Sequence, residues 1–128
     1  MGWLFDTDIL IDYLRAHQGA IECLETRVAE AYLSAISVAE LYQGVREGAE
    51  RSDLRTMLSA MTILPISDEV AERGGLLSRD YRPTHGVGLA DALIAATAEI
   101  YSLKLVTLNK KHFPMLSPLT VPYHKKGP

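Results

Sequence analysis

Several acidic or amide side chains follow predicted strands or stand in the first turn of predicted helices. They are Asp6, Asp8, Glu40, Asp91 and Asn109. Carboxylates that lie close together repel one another and take up protons unless a cation neutralises them. Magnesium and manganese are hard cations that prefer oxygen ligands. The set therefore predicts a divalent-metal site, which could activate a water molecule and offset the charge of a scissile phosphate.

Each of these acids also has a purely structural interpretation. Asp6 can cap the helix that follows it, and Asp91 can interact with a helix dipole, since acids are favoured where helices begin. The stretch Ser37-Val-Ala-Glu40 fits a capping box, in which Glu40 reaches back to the backbone N–H of Ser37. Asp8 fits a turn residue. The prediction of a site therefore depends on the joint placement of these residues and on none of them alone.

Short apolar runs alternate with helical spacings along the chain. Strands are predicted at 3–5, 31–36 and 104–108, with an edge piece at 62–65 and a possible strand at 119–121. Helices are predicted directly after the first strand, over 21–28, and from Ser37 to near Gly48. Further helices are predicted over 54–61, from Ser67 or Asp68 onward, and over 89–101. Arg82–Gly88 is predicted to be a loop. The helical aspartates Asp12, Asp53, Asp68 and Asp80 are interpreted as surface or capping residues.

This alternation predicts an α/β fold, a three-layer α/β/α sandwich with a short central parallel sheet, in a single domain spanning 1–128. Ligands of an open parallel sheet bind outside the carboxyl ends of its strands. Asp6 and the pair Thr107 and Asn109 follow two such ends. Glu40 and Asp91 stand in the first turns of helices. The topology therefore brings the acidic side chains to one edge of the sheet.

Composition and charge limit the classes of protein that the chain can represent. All 16 acids lie at or before Glu99, whereas all five lysines lie from Lys104 onward. An acidic body with a basic end could hold a cation in one place and a polyanion in another. The single cysteine, Cys23, excludes an internal disulfide framework and a cysteine-rich zinc site. No signal peptide or membrane span is predicted, so we expect a soluble, cytoplasmic protein.

Four stretches resemble the motifs of PIN domains, in the same order and with similar spacing. They are Leu4-Phe-Asp6-Thr-Asp8-Ile-Leu-Ile-Asp12-Tyr-Leu, Ser37-Val-Ala-Glu40-Leu, Gly88-Leu-Ala-Asp91-Ala-Leu-Ile-Ala-Ala-Thr-Ala98, and Leu105-Val-Thr107-Leu-Asn109-Lys-Lys-His112-Phe113. The resemblance covers nearly the whole chain. A stand-alone domain of this size resembles the VapC-type toxins of bacterial or archaeal toxin–antitoxin pairs.

The resemblance implies a Mg²⁺- or Mn²⁺-dependent endoribonuclease. Asp6, Glu40 and Asp91 match the acidic positions that bind the metal and act in catalysis. Asn109 stands where the family often has an aspartate, which puts a tightly held second metal in doubt. Thr107, Asn109 and Asp8 are then expected to orient the ligands. His112 replaces the acid that usually precedes the phenylalanine of the fourth motif.

The resemblance also implies partners. The expected substrate is single-stranded or loop RNA, and the candidate backbone contacts are Arg82, Lys110, Lys111, Lys125 and Lys126. A homodimer and a cognate antitoxin, which would lay a helix or extended segment over the active-site side, are expected. We expect an exposed groove for the partner on the second to fourth helices, lined by Tyr42, Leu54, Leu58 and Met61. The alternative is that all four residues belong to the core. The four histidines, His17, His85, His112 and His124, show no metal-ligand spacing and are interpreted as solvated.

Two other functions remain open at this point. Phe5-Asp6-Thr-Asp8 also resembles the Asp-x-Asp of haloacid-dehalogenase-type phosphatases, in which Asp6 would be the nucleophile. That fold needs a Thr or Ser soon after the second Asp, but Ile9-Leu10-Ile11 follows here. The second alternative is a non-catalytic PIN-like module that binds RNA or protein, with Asn109 as a sign of decay. A requirement for metal and turnover would separate the three.

Overall fold

A computed structural model describes residues 2–125 of the chain. Its strands are β1 (Trp3–Phe5), β2 (Ala31–Ser34), β3 (Thr62–Leu64) and β4 (Lys104–Val106). Its helices are α1 (Thr7–Leu14), α2 (Gln18–Glu25), α3 (Ala35–Gln43), α4 (Ala49–Ser59), α5 (Asp68–His85) and α6 (Leu89–Ile100). Short 3₁₀ turns span Val28–Glu30 and Lys110–His112.

The strands form one parallel sheet with the order β3-β2-β1-β4. Trp3 of β1 pairs with Ala31 on one side and with Lys104 on the other. β1 is therefore central, and the residue that follows it lies between the ends of β2 and β4. The edge position predicted for 62–65 is confirmed, because β3 has only β2 as a neighbour.

Helices cover both faces of the sheet, which confirms the three-layer prediction. On one face, α5 and α6 pack on the sheet around buried residues that include Leu4, Val70, Leu77, Ile94 and Leu105. On the other face, α1, α2 and α4 enclose a second core that includes Phe5, Leu10, Leu24, Leu54 and Val106. Successive strand residues point to opposite faces, so Leu4 and Phe5 belong to different cores. No helix within residues 2–125 is long and apolar enough to span a membrane.

Several predicted boundaries are wrong. The strands predicted at 31–36 and 104–108 end at Ser34 and Val106, and the helix predicted over 54–61 spans Ala49–Ser59. α3 begins at Ala35, with the Ser34 hydroxyl accepting from the Ile36 N–H. Ser37 is therefore inside the helix and does not cap it. α3 also ends at Gln43, well before Gly48. α2 ends at Glu25, which leaves Val28 in a 3₁₀ turn with 44% of its surface exposed.

The predicted loop Arg82–Gly88 is mostly helix, because α5 continues through Pro83 to His85. Pro83 is exposed, so water can bind the carbonyl that lacks its usual N–H partner. The helix ends at Gly86, which has a φ of 66° and donates its N–H to the Arg82 carbonyl. That left-handed conformation favours glycine. Near the C-terminus, 119–121 contributes only one parallel bridge, from Thr120 to Val106.

Candidate active site

Asp6 lies at the carboxyl end of the central strand and is almost fully buried. It follows β1 and caps α1. Because Phe5 pairs with Val106 of β4, Thr107 lies beside it, and the Thr107 hydroxyl donates to Asp6 Oδ2 over 2.7 Å. The backbone N–H of Thr7 donates to Asp6 Oδ1 over 2.8 Å. Both carboxylate oxygens thus have a fixed direction.

Asp8 ties the first turn of α1 to the loop that follows β4. Its Oδ2 accepts from the Leu108 N–H over 3.0 Å and from Asn109 Nδ2 over 3.2 Å. Its Oδ1 accepts from the Ile9 N–H over 2.7 Å. The Asn109 N–H also donates to the Thr107 hydroxyl over 3.0 Å. Asp8, Thr107 and Asn109 therefore form one connected group around Asp6, and their role in orienting the ligands remains a prediction.

Glu40 projects from α3 towards the start of α1. The Thr7 hydroxyl donates to Glu40 Oε1 over 2.7 Å and lies 2.9 Å from the Ser37 hydroxyl. A hydroxyl has one hydrogen, so Thr7 donates to Glu40 and Ser37 supplies the hydrogen of the second bond. The capping-box interpretation of Glu40 is therefore wrong. Its partner is a side chain that is remote in sequence.

Asp91 stands in the first turn of α6, where the sequence predicts it. Its Oδ2 lies 3.1 Å from Nδ1 of His112 in the 3₁₀ turn after β4. The interpretation of His112 as simply solvated is therefore incomplete, although its side chain is half exposed. The available signal was its position, since it stands where the resemblance expects an acid.

Burial, reinforced by neighbouring negative charges, raises the pKa values of Asp6, Asp8 and Asp91. Burial, followed by the charges of Asp8 and Asp91, raises the pKa of Asp6 to about 7, although the bonds from Thr107 and Thr7 oppose the shift. Burial also raises the pKa of Asp8. Burial raises the pKa of Asp91, and the charge of Glu40 adds to this, whereas His112 lowers it. The acids of three segments, the junction of β1 and α1, α3 and α6, therefore lie close enough to affect one another's pKa.

The donor set fits a hard divalent cation in its chemistry. All donors are carboxylate or amide oxygens, which Mg²⁺ and Mn²⁺ prefer. Among residues 2–125, however, no three His, Cys, Asp or Glu side chains already lie close enough to hold a metal. Glu40 and Asp91 point instead to Thr7 and His112. Each of these bonds occupies one carboxylate oxygen, so a cation would bind the second oxygen of Glu40 and of Asp91 after the side chains move closer to Asp6.

The predicted RNA contacts fall in different places. Lys110 and Lys111 are exposed on the 3₁₀ turn directly after Asn109. Arg82 is exposed on the last turns of α5, on helix and not on the predicted loop. Lys125 binds Asp12, with Nζ 2.6 Å from Oδ1. Lys126 lies outside the described residues.

Asp12 is not the surface or capping residue that the sequence suggests. Only 4% of its surface is exposed. Its Oδ2 accepts from the Tyr123 hydroxyl over 2.9 Å and its Oδ1 binds Lys125. Local sequence could not reveal these contacts, because both partners come from the far end of the chain.

The structure contains a groove beside the helices on which the sequence predicts one, but most of the residues that line it are not the predicted ones. Leu54 and Leu58 are buried and belong to the core, and Tyr42 packs partly against it. Met61 instead lines a groove of about 530 Å³ between α1, α2 and α4. The apolar side chains of this groove are Tyr13, Leu14, Leu24, Val28, Met57, Ala60 and Met61.

Comparison with known proteins gives consistent matches over this chain. The family model described as PIN domain matches residues 3–115. Ribonuclease VapC10 of Mycobacterium tuberculosis is 39% identical, over 97% of this chain and 95% of that protein. Ribonuclease VapC19 of the same species is 38% identical, over 94% of this chain and 98% of that protein.

Solved structures agree with this result. A toxin–antitoxin complex from Klebsiella pneumoniae contains a chain that matches with a TM-score of 0.84 and 32% identity, over 97% of this chain and 100% of that one. FitAcB from Neisseria gonorrhoeae matches with a TM-score of 0.74 and 29% identity, over 96% of this chain and 99% of the other. The four-motif resemblance is thus confirmed.

Proposed function

Because this chain belongs to the PIN domain family and is a VapC-type toxin endoribonuclease of a toxin–antitoxin system, we propose that it hydrolyses RNA phosphodiester bonds with Mg²⁺ or Mn²⁺ held by Asp6, Asp91 and Glu40. One observation carries the proposal. The buried carboxylate of Asp6 faces Asp8 and Asp91, and these charges help to raise its pKa to about 7. A bound cation would remove the repulsion that this arrangement creates.

The residues around the ligands have separate tasks in this mechanism. Thr107 and the Thr7 N–H hold the ionised form of Asp6, since both bonds lower its pKa. Thr7 directs Glu40 until substrate arrives, after which Glu40 orients the attacking water through a hydrogen bond. Asp8 keeps Asn109 and the loop after β4 in place. When bound, the metal ion supplies a positive charge that offsets the charge that builds on the phosphate and makes a water molecule more acidic.

The basic residues near the site would bind the RNA backbone. Lys110 and Lys111 directly follow Asn109, and both are exposed. Arg82 on α5 extends the proposed contacts, and Lys126, outside the described residues, stays a predicted contact. Lys125 is half exposed while it binds Asp12, so its ammonium can contribute a weaker contact. Phosphate contacts of this kind position the strand without reading its sequence.

We propose that a cognate antitoxin and a second copy of this chain are protein partners in the cytoplasm. Several similar structures are toxin–antitoxin complexes, among them those from K. pneumoniae and N. gonorrhoeae. The apolar groove between α1, α2 and α4 supports a helical or extended segment as its occupant. The phosphatase alternative has no support, because Asp8 accepts three hydrogen bonds and the PIN family model matches residues 3–115.

The experiment incubates the purified, antitoxin-free protein with total cellular RNA in Mg²⁺ or Mn²⁺ and in EDTA, and maps the new RNA ends by sequencing. The variants are Asp6→Asn and Asp91→Asn, with Asp68→Asn as the control that removes one exposed acid of α5. We expect discrete cuts that require metal and fall at least about a hundredfold in the two site variants. Asp68→Asn should cleave as the native protein does.

Two results would contradict this proposal. Equal cleavage by Asp6→Asn would assign the activity to a contaminating nuclease. RNA that binds to folded, metal-loaded protein but is never cut would favour the non-catalytic binding module.

A further inference from the structure

A polar pocket of about 360 Å³ adjoins the carboxylates on the side of β4. It is lined by Asp8, Leu108, Asn109, Tyr123, His124 and Lys125. Asp8 and Asn109 belong to the group that surrounds Asp6, so the pocket and the catalytic edge share a wall. The opposite wall comes from the C-terminal segment, which the four family motifs do not include.

The C-terminal wall is firmly held in place. Buried Asp12 accepts from the Tyr123 hydroxyl and binds the Lys125 ammonium. The Tyr123 ring stacks on His17, with ring centroids 4.7 Å apart. Gly19 allows this close approach, because a Cβ there would lie 2.8 Å from the Tyr123 ring. The pocket therefore exists before any ligand binds, and a ligand loses less entropy on entering it.

The polar groups of the pocket can both donate and accept hydrogen bonds. One N–H of the Asn109 amide donates to Asp8, which leaves its second N–H and its carbonyl oxygen free for a ligand. His124 is exposed and adds an imidazole with one donor and one acceptor when neutral. The edges of unpaired bases present the same mixture of donors and acceptors. An aspartate at position 109 could only accept hydrogen bonds, and its negative charge would repel RNA.

We propose that this pocket receives the base of one unpaired RNA nucleotide next to the cleaved bond, and that Asn109 and His124 determine which base it accepts. The inference rests on the proposed ribonuclease function and adds a specificity site to it. Lys110 and Lys111 directly follow Asn109 of the pocket wall, so a strand held by these lysines and by the site at Asp6 would lie beside the opening. The pocket is polar, unlike the groove between α1, α2 and α4, and so suits a base better than an apolar side chain.

The test uses a single-stranded RNA pool with randomised sequence, cleaved in Mn²⁺ by the full chain and read by sequencing both products. The native protein should prefer particular bases at one position beside the cut. His124→Ala should reduce that preference roughly two- to tenfold, the range expected for loss of one hydrogen bond, while the total cleavage rate changes less. Asn109→Ala should alter the preference at the same position. His85→Ala removes an exposed histidine outside the pocket and should leave the profile unchanged.

Thermal unfolding of each variant checks that the fold is intact. A native profile with no base preference beside the cut would overturn the inference, as would identical profiles in the native protein and both pocket variants. In either case, metal-dependent cleavage that Asp6→Asn abolishes would leave the proposed function standing. Absence of such cleavage would overturn both.

Discussion

Asp6 and Asp12 are buried to nearly the same extent, with 5% and 4% of each residue exposed, yet their surroundings are opposite. Asp12 on α1 meets an ammonium and a phenol from the C-terminal segment. Asp6 at the end of β1 meets hydroxyl and N–H donors but faces further carboxylates. The negative charge of Asp12 is therefore balanced by groups of the protein itself. The arrangement around Asp6 leaves a buried negative charge, which is what a site for an external cation requires.

The same substitution at the two positions should therefore have opposite effects on stability. In metal-free protein near pH 8, Asp12→Asn should lower the free energy of unfolding by about 1 kcal/mol, because it removes the charge that pairs with half-exposed Lys125 and weakens the bond from the Tyr123 hydroxyl. Asp6→Asn should raise it by about 1–2 kcal/mol, because it removes a buried, repelled charge. Urea unfolding in EDTA measures both. Destabilisation of equal size in the two variants would contradict the comparison.

The contribution of Asp6 should depend on pH. The folded protein holds the pKa of Asp6 at about 7, above the ordinary value of 3.8, so between these values the folded state binds more protons than the unfolded state. The stabilising contribution is therefore fully present below about pH 4 and is lost as pH rises to about 7. We expect the stability of Asp6→Asn relative to the native protein to increase by on the order of 2 kcal/mol between about pH 5 and about pH 8. A difference that is constant with pH, measured by urea unfolding in EDTA, would count against the shift.

Thr7 provides a smaller perturbation of the same region. Thr7→Val removes the hydroxyl that binds Glu40, so Glu40 loses its fixed direction. We expect kcat to fall about tenfold with little change in KM, and Thr7→Ser to restore most of it. Steady-state cleavage of a short RNA identified by end mapping provides the measurement. Equal activity of the Val and Ser variants would show that the hydroxyl has no such role.

The exposed lysines should have the smallest effects. Lys110→Ala and Lys111→Ala should each weaken RNA binding a few-fold for all sequences alike and reduce the slope of log K against log salt by about 0.7, the value per phosphate contact for a single strand. Filter binding with the Asp6→Asn protein at several salt concentrations tests this without cleavage. An unchanged slope would place the RNA path elsewhere.

The sequence predicted most of what local pattern controls. Apolar runs ending in polar residues located the strands and placed Asp6 and Thr107 at one sheet edge. Spacing correctly placed Asp91 in the first turn of α6, whereas Glu40 lies in the second turn of α3 and not in the first turn as predicted. The loop predicted from composition around Pro83 is wrong, because the exposed end of α5 tolerates the missing N–H bond of this proline.

Contacts between distant segments could not be predicted from local pattern. The capping box at Ser37 was a reasonable local match, but the partner of Glu40 is Thr7 of another helix. The partners of Asp12 lie near the opposite end of the chain. The contact of His112 could not be recognised from sequence spacing, because its partner Asp91 is on a different element. These contacts depend on the packing of the layers, which periodicity does not specify.

Binding of Mn²⁺, measured by isothermal titration calorimetry near pH 7, tests the central claim most directly. The native protein and Asp12→Asn should both bind the ion and release protons, because Asp6 is partly protonated at that pH. Asp6→Asn should bind it far more weakly and with less proton release. Native protein that binds no Mn²⁺, or an Asp6→Asn variant that binds it equally well, would contradict the assignment of this carboxylate cluster as the metal site.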